Sequence, residues 1–184
     1  MKRRVVATGV AVAITMGAGV AMQAQESKEE IPENREIQFG PPNSGYALGI
    51  RTSKDVYTWG ERILLQVDLK NVSEQEVMVN FTNRMSKFRM EVVMPDGKIA
   101  PTTLYGEWLK RPAPWRRTVV QYVQPGKAVN VDFDLNRIFD MSRAGKYTVR
   151  VSSPIVYNAD VTKVVAVKSV DLQLEVKTTP ESWD

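Results

Sequence analysis

The chain has 184 residues, 43% of them hydrophobic, with 25 Lys and Arg against 21 Asp and Glu, and it contains no histidine and no cysteine. Those two absences remove imidazole general bases, histidine–zinc sites, thiol nucleophiles, iron–sulfur ligands and disulfides. No cofactor or metal is therefore expected, and an enzyme is not the expected class.

Lys2, Arg3 and Arg4 precede an uncharged run from Val5 to Met22, and small residues follow at Gly19, Ala21 and Ala24. That layout over residues 1–24 is the layout of a secretory signal peptide. Cleavage after Ala21 places small residues at both recognition positions, whereas cleavage after Ala24 places Met22 at the outer one; both sites remain open. An uncleaved anchor is the rival reading, but frequent Gly and Ala keep the run only mildly hydrophobic. Without cysteine, lipoprotein anchoring is impossible. A periplasmic or extracellular protein is expected, meeting a membrane only during export and having no nucleic-acid partner. Losing the three basic residues lowers the formal charge from +4 to +1.

Residues 25–44 carry five glutamates against Lys28 and Arg35, together with Pro32, Pro41 and Pro42, and show no strand periodicity. They read as a flexible acidic leader. Residues 45–178 then form one domain, large enough to bury about two-thirds of its unfolded surface, and 179–184 make a short tail.

Within that domain apolar residues alternate with polar ones in several runs. Ile63, Leu65, Val67 and Leu69 form the first clear set. Phe88, Met90, Val92 and Met94 form the second, ending in the turn Pro95-Asp96-Gly97. Val129, Val131, Phe133 and Leu135 follow the turn Pro125-Gly126. Tyr147, Val149 and Val151 follow Gly145, and Val170, Leu172, Leu174 and Val176 close the series. Weaker strands fit Tyr46–Thr52, Val77–Thr82, Thr118–Val123 and Val161–Val167. One apolar and one wet face per strand predicts an all-β fold, an antiparallel Ig-like β-sandwich.

Between two of these strands, Thr102 to Arg117 predicts a long irregular loop, of a length that in compact domains is commonly functional. It carries Tyr105, Trp108 and Trp115 among Lys110, Arg111, Arg116 and Arg117, with Glu107 opposing them and Pro112 and Pro114 stiffening the middle. Aromatic faces beside cations suit a sugar, an anionic glycan or a protein hot spot. The same residues also suit a plug in which Trp108 and Leu109 close one end of the sandwich. Both roles are open.

The stretch Leu135–Met141 breaks alternation and predicts one helical turn that tucks Ile138 and Phe139 against the core. Asp132, Asp134, Asn136 and Asp140 imitate a calcium loop, but Arg137 and Arg143 stand where an EF-hand needs Gly and Glu. Gly145-Lys146-Tyr147 suggests a tyrosine corner. Asn71-Val72-Ser73 and Asn80-Phe81-Thr82 are formal glycosylation sequons.

Tyr57-Thr58-Trp59-Gly60-Glu61 leading into Ile63–Asn71, then Pro125-Gly126, Asp134-Leu135 and Gly145-Lys146-Tyr147-Thr148-Val149, resembles a bacterial secreted Ig-like β-sandwich module. Similar modules precede the catalytic domain of some deuterolysin-type metallopeptidases, and a looser likeness exists to bacillus intracellular proteinase-inhibitor domains. The resemblance runs from Tyr46 to Val176 and implies a sandwich more than an activity. The chain has no His-Glu-x-x-His helix, so metallopeptidase activity does not transfer. A non-catalytic exported binding module of the cell envelope is expected, contacting a protein or an envelope glycan; a secreted proteinase inhibitor is the alternative.

Overall fold

A computed structural model describes residues 35–80, 87–111, 120–156 and 164–178. Among the described residues eleven strands and two short helices follow in order: β1 (Gln38–Phe39), β2 (Tyr46–Thr52), β3 (Val56–Thr58), β4 (Leu64–Asn71), β5 (Val77–Asn80), β6 (Arg89–Val93), α1 (Leu104–Lys110), β7 (Val120–Val123), β8 (Ala128–Asp134), α2 (Leu135–Ile138), β9 (Gly145–Val156), β10 (Val164–Lys168) and β11 (Leu172–Lys177). The signal-peptide residues 1–24 and the tail 179–184 lie outside the described residues.

One sheet has the order β1-β2-β4-β8 and is antiparallel throughout. The second runs β10-β9-β11-β3, with β6 also on β9, and its β3–β11 pair is parallel. Strands β2, β4 and β8 stand where A, B and E stand in an immunoglobulin sandwich, and β6, β9 and β11 where C, F and G stand. The alternation seen in the sequence is the alternation of the fold: Val129, Val131 and Phe133 of β8 are buried while Ala128, Asn130 and Asp132 are exposed. Leu65, Val67 and Leu69 of one layer and Tyr147, Val149 and Leu174 of the other belong to one buried core. Each such side chain contributes about 1.5–3 kcal/mol by leaving water. Phe88 meets Phe133 edge to face at 6.0 Å between ring centroids.

The crossing from β8 to β9 occurs as expected. Leu135 and Ile138 of α2 and the following Phe139 are buried, and the Tyr147 hydroxyl donates to the Arg143 carbonyl at 2.7 Å. That bond is the tyrosine corner. The turn at Pro95-Asp96-Gly97 also forms, with Gly97 at φ 80° and its N–H on the Met94 carbonyl.

Three elements depart from the expectations. The acidic leader is not wholly free of the sheet, because β1 pairs with β2. Ile37 and Phe39 lie so close over Gly49 that a Cβ there would sit 2.6 Å from Ile37 and 3.0 Å from Phe39. This cover buries β2 on both faces. Strand β3 was not expected; three residues are too few to show a period. The last two strands, expected as separate strands, run end to end along one edge of β9. Between the pairs Lys168–Ser152 and Leu172–Val149, four steps along β10–β11 match three along β9, so one extra residue bulges at Ser169–Asp171. Arg150 holds the bulge through two bonds to Asp171, each 2.9 Å, and reaches Glu91 on β6 at 3.1 Å.

Strands β5 and β7 form a two-stranded ribbon that continues the β4–β8 hairpin beyond a break. Asn71 ties the break. Its amide donates to the Gln75 and Val123 carbonyls at 2.7 and 2.8 Å, and its Oδ1 accepts from the Ser73 N–H and hydroxyl. The side chain is fully buried, so this sequon asparagine offers no surface for a glycan. Replacing Asn71 with Ala leaves two carbonyls and two donors to find new partners. We expect a loss of about 2–3 kcal/mol, measured as a lower urea midpoint with unchanged m-value.

Candidate functional site

The segment expected to be an irregular loop contains a helix. Thr103 caps α1, its Oγ1 accepting the Gly106 N–H at 3.1 Å, and Arg111 closes it with an N–H on the Trp108 carbonyl at 3.2 Å. The helix follows from a threonine cap and an inner side made by Gly106 and Leu109, three apart. Gly106 at its centre hid that signal, since glycine ordinarily weakens a helix by about 1 kcal/mol relative to alanine. Here the glycine has a packing reason. A Cβ at Gly106 would lie 2.4 Å from the Ile138 carbonyl oxygen and 2.2 Å from Thr102 Cγ2.

Helix α1 is thus pressed onto α2. The Thr103 N–H donates to the Ile138 carbonyl at 2.9 Å and the Asp140 N–H to the Pro101 carbonyl at 2.8 Å. The Thr103 hydroxyl lies against the carbonyl of Arg137 as well. Leu109 packs against the core, so half of the expected plug forms. Trp108 does not join it.

The opposite face of α1 carries its large side chains outward. Leu104 is 91% exposed, Trp108 54% and Tyr105 39%. The Tyr105 and Trp108 rings lie 6.0 Å apart at 23°, and Arg137 sits over the Tyr105 ring at 4.5 Å. Lys110 reaches the Thr102 hydroxyl at 2.7 Å and Glu107 at 3.0 Å. The Lys110 bond, then that of Thr102, holds the Glu107 carboxyl below the usual carboxylate range.

Of the residues singled out in the sequence, Tyr105, Trp108, Lys110 and Arg111 are therefore carried by or adjoin this one helix. Trp115, Arg116 and Arg117 lie outside the described residues. Arg137 was missed as a member of the surface. It lies far along the chain, and its only sequence signal was its poor fit to a calcium loop. Among the described residues no three acidic side chains gather as a metal set, and no helix is long and apolar enough to cross a membrane.

Strand order and tyrosine corner define the class, an Ig-like β-sandwich module. No family profile matches the chain and no curated protein matches it. The chain is similar to the solved C-terminal domain of wzt, with 13% identity and a TM-score of 0.43, over 81% of this chain and 83% of that one. It is similar to a CARDB domain from Pyrococcus furiosus, solved in complex with di-metal ions, with 12% identity and a TM-score of 0.37, over 81% of this chain and all of that one. A beta-glucosidase from Listeria innocua is similar at 13% identity and a TM-score of 0.34 over 73% of this chain, which spans 16% of that enzyme. None of this gives sequence-level support to the likeness to deuterolysin accessory domains.

Gly106 sets two effects against each other. Helix propensity favours Gly106→Ala by about 1 kcal/mol, whereas overpacking against a backbone carbonyl costs about 1–3 kcal/mol. We expect packing to win and the melting temperature to fall. A Gly106→Ala protein with a raised melting temperature would show that α1 is not seated on α2.

Proposed function

We propose that this chain is a non-catalytic, exported binding module of the cell envelope, and that the outer face of α1 is its contact surface. The observation that carries the proposal is the outward placement of Leu104, Tyr105 and Trp108 on one seven-residue helix whose other side is anchored. Large apolar side chains held in water by a rigid support cost solubility and suit recognition. Lys110, Arg111 and Arg137 border them, so the partner's complementary surface is apolar with acidic groups. A protein surface or an acidic envelope glycan has that chemistry; nucleic acid does not meet an exported protein.

The test is affinity capture from envelope extract, comparing the natural chain with a Tyr105→Ala, Trp108→Ala double variant. Both residues are substantially exposed, so folding should survive, as judged by an unchanged melting curve. Hot-spot truncation of this kind costs about 2 kcal/mol or more, roughly thirty-fold in affinity. Equal capture by a folded double variant would remove α1 from the contact surface.

A further inference from the structure

A second surface lies beside α2 and reaches Thr103, the cap of α1, with none of the exposed side chains of the Tyr105 face in its lining. The turn between β3 and β4, α2 and the start of the β8–β9 crossing enclose a cavity of about 230 Å³. That is smaller than the roughly 300–1,000 Å³ of sites for drug-sized ligands, and near the size of one long side chain. Its floor is apolar, with Ile63, Phe139 and Val176 buried. One wall is Trp59, 56% exposed. The charged groups in the lining are both acidic, Glu61 and Asp140.

The cavity is built rather than incidental. The Trp59 N–H donates to the Lys177 carbonyl at 2.7 Å, and the Glu61 N–H to the Thr58 carbonyl at 2.9 Å. Asn136 spans the turn, donating to the Glu61 carbonyl at 2.9 Å and accepting from the Ile63 N–H at 3.2 Å. Glu61 accepts the Thr58 N–H at 2.9 Å and pairs with Lys54 outside the lining. Asp140 accepts the Ser142 N–H at 3.1 Å through Oδ1; the Ser142 hydroxyl, then that N–H, and to a smaller extent Arg143 hold its carboxyl below the usual range, and no salt bridge is made to it among the described residues.

The geometry points to a site for the arginine side chain of a protein partner. An indole face, a carboxylate and an apolar slot of one-side-chain size match a guanidinium, which stacks on an aromatic plane and donates in its own plane to carboxylate oxygens. The wall also holds the hydroxyls of Thr58, Thr103 and Ser142, but its charged groups are both carboxylates, which favours a cation over a neutral sugar. The inference does not rest on the α1 face, since different side chains carry it.

The test is a nuclear magnetic resonance titration of the full chain with N-acetyl-arginine methylamide, following the Trp59 indole N–H. A single side chain should bind at about 1 mM, giving a saturable shift. Asp140→Asn keeps the Ser142 bond and should weaken the response at least three-fold. Trp59→Ala, at an exposed position, should abolish saturable shifts on its neighbours. The lysine analogue should bind more weakly. No saturable response, an equal response to methyl glucoside, or full response in folded Asp140→Asn would each overturn the proposal. Loss of capture by the Tyr105, Trp108 variant alongside any of those results would leave the α1 surface standing and remove only this site.

Discussion

Everything in this molecule depends on a dry interface between two sheets that no disulfide reinforces. Antibody domains of this fold place a disulfide across this gap; here the cysteine-free chain fills it with Leu, Val, Phe and the three buried tyrosines Tyr46, Tyr57 and Tyr147. The interface is closed at its weak points by polar groups that are themselves satisfied. Tyr147 ties the β8–β9 crossing, Asn71 ties the break in the β4–β8 ribbon, and Arg150 ties the bulge between the last two strands. Each sits where a strand ladder is interrupted, which is where backbone groups would otherwise lose their partners.

The two helices are best understood as part of that closure. Helix α2 fills one end of the core with Leu135 and Ile138, and α1 docks on it through a glycine with no room for a methyl group. A seven-residue helix has little stability of its own. Its position comes from the Ile138 carbonyl, the Thr103 cap and Leu109. Such seating explains how Trp108 and Tyr105 stay in water: the residues that hold α1 in place are the ones on its inner side.

The sandwich was legible in the sequence because its strands are half-buried, and burial on one face writes a period of two into Leu65, Val67 and Leu69 or Val129, Val131 and Phe133. The helical turn at Leu135 was legible as a break in that period, and the corner at Tyr147 as a Gly-x-Tyr entering a strand. What could not be read depends on contacts between distant residues. Strand β1 exists because Ile37 and Phe39 cover Gly49, and two residues of strand carry no pattern. Helix α1 was obscured by Gly106, whose requirement comes from Ile138, more than thirty positions away. Arg137 belongs to the aromatic surface only because α1 folds onto α2.

That dependence gives α2 a double position. Asn136 and Arg137 are consecutive, and a helical turn points consecutive side chains about 100° apart. Asn136 therefore braces the turn that carries Trp59 and Glu61, while Arg137 lies on Tyr105 of α1. The support itself is buried at Leu135 and Ile138, the next contacts along the same four residues. A displacement of α2 would carry α1 with it, since Ile138 and Thr103 seat that helix, whereas the Trp59 turn keeps anchors of its own in Tyr57, Ile63 and the bond to the Lys177 carbonyl. The Asp134 carboxylate at its start is bonded to Arg62 at 3.0 Å through one oxygen, whereas its other oxygen is buried without a partner. A buried acceptor left in that state costs free energy, so the hydrophobic seating of α2, rather than its polar cap, is what holds it and α1 in place.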